Sequence, residues 1–383
     1  VNHMLYDYII VGAGPAGLYT ARRLEDKYRK PIRILIIEKD TCIGGRTRQV
    51  RFHSHLVATG AGVGRYQKDK LLMKSLRDVM PDYPIRPFHS SIYHHEPSPV
   101  DTLSYITELK KQKSWIRGHR STHNFKDCFL NFYSKTEYRQ FCRSNGFTDF
   151  EDADIVDTLY DYGFEDNQSN IQIFNMPWNK WMRGLRRSLM HTTLLFRHEM
   201  ISCHKSTDMI FQITTKNGSL FHAKTIVYAG SLEPYPYSEI KRGIGIQPFV
   251  RMYAFLKEKD TDHLKKGTYY VENELQKFIV LTPRIRMISY SDNQHARKVM
   301  NKSIKELETL NHVSIQDLSI FYRKCGTHFY YPLDTIRFKN RLSFINYAQH
   351  PEPNVFLVGE VISKNQGWTE GALESVERIM PFL

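Results

Sequence analysis

The chain has 383 residues, 41% hydrophobic and 25% charged, with a formal net charge of +14. That is enough chain to bury a large core in two or three domains. No apolar run approaches the ~18 residues of a membrane helix, and five scattered cysteines without a CxxC pair argue against a disulfide framework or zinc knuckle. The basic clusters Lys110-Lys111-Gln112-Lys113 through Arg120 and Lys180 to Arg187 fit no nucleic-acid-binding motif, so nucleic acid is not an expected partner.

Residues 5–11 read as a buried strand, turned by Gly12-Ala-Gly-Pro-Ala-Gly17 into a helix that keeps apolar spacing through Leu18, Ala21 and Leu24 to about Tyr28. Val1-Asn2-His3, ahead of Met4, reads as an appended scar. With a strand starting so early there is no secretory signal pattern, so an intracellular, soluble, cytoplasmic protein is expected. Pro31 breaks the chain before a second strand, Ile34–Glu38. Gly44-Gly45-Arg46 follows, then a hairpin with Gln49–Phe52 running out, Leu56–Ala58 running back and His53-Ser54-His55 near its tip. From Arg65 to Asn170 polar helical stretches alternate with prolines and aromatics. A strand-rich block runs from Leu194 to Tyr228, with Asn217-Gly218 as a turn signal. Thr225–Ala229 is a buried strand ending at Gly230, and residues 241–350 read as strands and helices of a second layer. Val355–Val358 is another buried strand, ending at Gly359-Glu360, and a helix begun around Trp368-Thr369 closes the chain.

Dinucleotide-binding patterns at the start, middle and end predict one domain assembled from pieces. The expected class is α/β, with a Rossmann-like domain from residues 4–64, 175–240 and 350–383. A mixed sheet-plus-helix substrate domain is expected from residues 65–174 and 241–349.

Gly12, Gly14 and Gly17 have distinct tasks: a tight turn, close approach of a pyrophosphate, and packing of helix on strand. Pro15 suits the first helical turn, where its missing N–H costs nothing, and with Ala16 it places the helix N-terminus at the phosphates. Glu38, with Lys39 after it, ends the second strand about 20 residues on, where an acid bonds ribose hydroxyls. Gly45-Arg46 then brings a guanidinium suited to pyrophosphate.

On these residues, with Gly60-Ala61, Val227-Tyr-Ala-Gly230, Phe356-Leu-Val-Gly-Glu360 and Gly367-Trp-Thr-Glu-Gly-Ala-Leu-Glu-Ser, the chain resembles the flavin-containing amine oxidase family. The resemblance implies FAD, bound non-covalently, with Glu38 on the adenosine ribose and Gly14 to Ala16 and Arg46 on the pyrophosphate. Met200-Ile201 would lie along the adenine, Gly230, Gly359 and Glu360 near the ribityl and phosphate groups, and Thr369 at the pyrimidine edge. Trp368 falls where monoamine oxidases place one member of an aromatic pair facing the flavin, with Phe329, Tyr330 or Tyr331 as its partner and His328 beside them.

The implied reaction oxidises a C–N bond of an amine or L-amino acid to an imine, with hydride transfer to the flavin and reoxidation by oxygen to give hydrogen peroxide. A homodimer is compatible with it. Two positions depart from the pattern. Arg251 stands where the family has a lysine that holds a water against the flavin, and Thr59 stands where an acid is common. Lys257 shares the strand face of Arg251 but lies six residues on, roughly 20 Å away. Arg65 follows the glycines at a longer offset than the arginine that clamps the substrate carboxylate in L-amino-acid oxidases. His53 with His55, and His94-His95, lack a ligand cluster, so no metal is expected, and the surroundings of Cys325 match a flavin-linking cysteine poorly. Arg251 keeps open another flavin enzyme on this fold (a desaturase, a porphyrinogen-type oxidase or a mutase), and beyond these a non-catalytic FAD-binding protein.

Overall fold

The computed structural model describes residues 4–28, 32–94, 99–258 and 264–383; Val1-Asn2-His3, Pro31 and His95 lie outside them. Among the described residues a seven-stranded sheet has a parallel centre. Leu5–Val11 lies between Ile34–Glu38 and Leu220–Tyr228, with Thr192–Phe196 beyond Ile34–Glu38. Val355–Leu357 pairs in parallel with the last residues of Leu220–Tyr228, while the first half of that strand pairs antiparallel with Phe211–Thr215. Gly218, at φ +84°, makes the turn between those two antiparallel strands.

The central strands are apolar on both faces because both faces are covered. Ile10, Ile36 and Val227 pack under the helices Pro15–Lys27, Trp178–Arg187 and Thr369–Ile379. Ile9, Leu35 and Ile226 pack on the other side with Phe344 and Ile345 of the helix Arg341–Gln349. All the parallel strands point the same way, so their carboxyl ends deliver Gly12, Glu38, Ala229-Gly230 and Gly359-Glu360 to one edge. In an open α/β sheet that edge is the ligand crevice.

A six-stranded sheet follows the order Ile315–Tyr330, Ile244–Leu256, Ile285–Asp292, Lys277–Thr282, Gly267–Tyr270, Ile92–His94, antiparallel except for the last pair. Short helices between Thr102 and Asp161 carry a separate aromatic core that includes Phe125, Phe129, Phe141 and Phe150. The hairpin Gln49–Phe52 with His55–Ala58 forms as its alternation requires. No helix among the described residues is long and apolar enough to cross a membrane.

Candidate active site

The glycine loop divides its tasks visibly. Gly12 sits at φ +112°, and a Cβ there would come within 3.1 Å of the Ala229 backbone. A Cβ on Gly17 would lie 1.9 Å from the Gly12 carbonyl oxygen, so the helix reaches the strand only without a side chain. A Cβ on Gly14 would meet nothing within 4 Å. Gly14 is the N-cap of Pro15–Lys27, with no side-chain cap and no acid in the first turn, so no side chain of the cap or first turn takes up the N–H groups there. That open cradle fits a pyrophosphate. Glu38 accepts the Ala13 N–H at 2.7 Å on one oxygen and the Asp40 N–H at 2.9 Å on the other. Each oxygen keeps a lone pair for a hydroxyl.

The second glycine pair lies against the first: Gly44 donates to the Ala13 carbonyl at 3.0 Å, and a Cβ on Gly45 would stand 3.6 Å from Gly14 Cα. A Cβ on Gly230 would lie 3.4 Å from the Val11 carbonyl oxygen, and the Gly359 N–H donates to Ser375 Oγ at 2.8 Å. Met200 is buried while Ile201 is 58% exposed, and Lys39 is exposed beyond the strand end. Thr369, buried, starts the last helix. Glu370 beside it accepts the Leu71 and Leu72 N–H groups at 2.8 and 2.9 Å, capping a different helix, Lys70–Val79.

At the edge of the crevice, Arg46 donates from Nη1 to Glu360 Oε1 at 2.6 Å and to the Gly326 carbonyl at 2.9 Å. Glu360 also meets His328 Nδ1 at 2.5 Å and accepts the Gly367 N–H at 2.8 Å, and Cys325 Sγ lies 3.4 Å from His328 Nε2. Residues three apart on a regular strand face opposite ways. Cys325 and His328 meet because the pairing slips from Gln247–Thr327 to Phe249–Arg323, leaving two extra residues on their strand. Gly326 marks the slip, since a Cβ there would come 2.4 Å from Phe249. Burial would raise the Glu360 carboxyl, but Arg46 and His328 hold it well below the usual range. Burial works to lower His328, and the Glu360 charge outweighs it and lifts the imidazole to about 9.

A histidine raised in the folded state stabilises it fully below the unfolded value of about 6.5, and that contribution is lost as pH climbs through about 9. The stability advantage of the wild type over His328→Gln is therefore expected to shrink between pH 6.5 and 9, by on the order of 2–3 kcal/mol. Parallel denaturant titrations would read it, and a pH-independent difference would contradict the ion pair.

The second cluster lies on the six-stranded sheet. Arg251 is 5% exposed. Its guanidinium lies 4.2 Å from the Tyr290 ring centroid and would sit 3.4 Å from a Cβ on Gly62, and its Nε has no hydrogen-bond partner. Lys277, 2% exposed, arrives from the far side of the Tyr290 strand, donates to the Gly146 carbonyl at 2.7 Å and lies 4.5 Å from the same Tyr290 ring. Burial drives the Lys277 pKa well down, against the pull of Asp292 and Asp149. A lysine held neutral can accept a proton.

Asp292 takes hydrogen bonds from the Thr148 and Asp149 backbones, Thr148 Oγ1 and Gln276 Nε2. Asp149, bonded by Tyr162 Oη at 2.6 Å, is pushed to about 7 by burial and by Asp292. Gln247 donates to the Asp149 carbonyl at 2.7 Å and leaves its Oε1 unpartnered. A narrow cavity of about 60 Å³ is lined by members of both clusters, Asp149 and His328 among them. A wider cleft of about 640 Å³ carries Arg65, Lys68, Lys364 and Arg378 against Asp161, Glu165, Glu374 and Glu377, and shares Asp161 and Lys364 with the narrow cavity.

Residues 10–68 match the family described as an NAD(P)-binding Rossmann-like domain. No curated protein matches the chain. Among solved structures, wild-type putrescine oxidase bound to putrescine superposes with a TM-score of 0.75 at 12% identity, covering 99% of this chain and 98% of that one. A double mutant and a triple mutant of putrescine oxidase, from a redesign of its cofactor binding, superpose with the same TM-score and identity. The chain has the fold of putrescine oxidase. The expected α/β architecture with a Rossmann-like domain is therefore present.

Within the putrescine oxidase fold, some expected site residues are otherwise engaged. Arg65, 3% exposed, donates from Nε to Asp69 at 2.8 Å and from Nη1 to Asp166 at 2.9 Å, leaving no open fork for a substrate carboxylate. Its guanidinium lies 4.0 Å from the Trp368 ring centroid, and among the described residues no ring contact joins Trp368 to Phe329, Tyr330 or Tyr331. Tyr330 is buried, donates to the Ser363 carbonyl at 3.0 Å and carries Arg341 on its ring at 4.3 Å. Tyr331 is 42% exposed and packs edge-on against Phe329. His53 pairs with Asp317 at 2.9 Å and stacks on Phe255. Sequence reading missed Lys277, Tyr290, Asp149 and Gln247. The one local signal was a lysine opening an otherwise apolar strand, Lys277-Phe-Ile-Val-Leu.

Proposed function

We propose that the protein is an FAD-dependent oxidoreductase that oxidises the C–N bond of a carboxylate-bearing amine, an amino acid, to an imine. One juxtaposition carries the reading. An open dinucleotide crevice at the strand ends is combined with a buried cation, Arg251, which has no carboxylate partner among the described residues and whose Nε lacks a hydrogen-bond partner. FAD would be held by Glu38 at the ribose, by Gly12, Gly14, Ala16, Gly17, Gly45 and Arg46 at the pyrophosphate, and by Gly359-Glu360 and the Thr369 helix terminus further along. Bound there, it would supply the hydride acceptor, with oxygen as the proposed final acceptor. Arg251 would bind the substrate carboxylate through a planar fork that stays charged at every working pH. The net charge of +14 favours such a substrate over a polycation.

A second reading, a mutase or another flavin enzyme without oxidase turnover, is favoured by one observation: Arg251 cannot cycle a proton as a lysine can. Anaerobic visible spectra of the FAD-loaded protein separate the two. Bleaching by an L-amino acid but not by the diamine putrescine is expected, with recovery when air is admitted. Bound flavin that bleaches with no amine would move the assignment to the second reading, and failure to bind FAD would overturn both.

A further inference from the structure

Cys325, His328 and Glu360 form a hydrogen-bonded relay whose thiol and imidazole the proposed flavin site does not use: Sγ to Nε2 at 3.4 Å, then Nδ1 to Oε1 at 2.5 Å. Glu360 is in turn fixed by Arg46 and the Gly367 N–H. A thiol, a base and a carboxylate that orients the base are the parts of an activated nucleophile. The thiol is half-buried, and the base and the acid are buried. A cavity of about 60 Å³ meets the relay on its imidazole side, lined by Thr327 and His328 and not by Cys325, with room for a molecule of a few atoms.

We propose that Cys325 is a peroxide-reactive nucleophile, with His328 as proton donor and Glu360 as the positioning residue. The thiolate attacks one oxygen of hydrogen peroxide. An S–O bond forms, the O–O bond breaks, and the leaving hydroxide takes the His328 Nε2 proton and departs as water. The sulfur is oxidised by two electrons to a sulfenic acid and the peroxide is reduced by two. Nothing in this step depends on the flavin reading.

The charged groups facing the thiol are His328 on its own strand, Arg46 after the Gly44-Gly45 pair and Glu360 after the last strand. Burial raises the Cys325 pKa and Glu360 adds to it, but the hydrogen bond and charge of His328 and the charge of Arg46 prevail, and the thiol stays below its ordinary value. Three other thiols, buried Cys128 and half-buried Cys142 and Cys203, go the opposite way: burial pushes Cys128 to about 12 and Cys203 to about 11, and raises Cys142 as well. Thiolate character sets reactivity, so Cys325 should react ahead of these three.

The test is to expose the purified protein to limiting hydrogen peroxide, trap sulfenic acid with a 1,3-dione, and map the label by mass spectrometry. Label on Cys325 ahead of Cys128, Cys142 and Cys203 is expected. Its iodoacetamide alkylation should titrate below the ordinary thiol range, and Glu360→Gln should slow it about tenfold at pH 7. Should Glu360→Gln fail to fold, the wild-type pH profile decides alone. An ordinary thiol profile, labelling no faster than Cys128, Cys142 and Cys203, or a Cys325 peptide already carrying flavin would each overturn the proposal.

Discussion

Replacing Gly14 with valine is expected to weaken FAD binding by at least ~100-fold, ~3 kcal/mol, while the flavin-free protein keeps its stability to within ~1 kcal/mol. The space next to Gly14 Cα is empty of protein to 4 Å, and its backbone is extended at φ −79° and ψ −173°, a conformation a β-branched residue adopts without strain. The added methyls would fill only the place proposed for the pyrophosphate. Gly17→Ala is the contrasting variant. Its single methyl would stand 1.9 Å from the Gly12 carbonyl oxygen, a backbone atom that cannot yield cheaply, so the strand, loop and helix must separate at a cost of several kcal/mol. Thermal melts of the two apoproteins, each followed by an FAD titration, check both halves. Gly14→Val that binds FAD like the wild type would remove the pyrophosphate from this loop.

Local chemistry made much of this fold legible. The glycine loop, the hairpin Gln49–Ala58, the Asn217-Gly218 turn and the last strand and helix each announce themselves within a dozen residues, because turn geometry and hydrophobic period are local properties. The substrate side is different. Lys277 and Arg251 share the Tyr290 ring only because strand Ile285–Asp292 pairs with the strands that carry them, and pairing order is not written in any one segment. Cys325 reaches His328 through a slip in strand register, which Gly326 hints at and nothing in the period-two pattern demands. Arg65 shows the opposite failure. A carboxylate-reading fork was legible, but Asp69, four residues on, and Asp166, a hundred residues away, already satisfy it.

Arg251→Met is expected to raise stability and weaken amino-acid oxidation together. Taking a guanidinium out of water is costly, and among the described residues its neighbours are the phenols Tyr290 and Tyr253, with no carboxylate to offset the cost. Methionine fills comparable volume against Tyr290 and keeps a favourable sulfur–ring contact, so a gain of ~1–3 kcal/mol in unfolding free energy is expected. If the guanidinium is kept for the substrate carboxylate, kcat/KM for an amino acid should fall by about 10²–10³, or ~3–4 kcal/mol, with most of the loss in KM. Oxidation of the matching amine without its carboxylate should change little. A protein keeps a destabilising buried charge where function requires it, so the paired gain and loss would mark Arg251 as the specificity group. A variant that loses stability instead, with amino acid and plain amine equally affected, would make Arg251 a structural cation and return the substrate carboxylate to an unassigned partner.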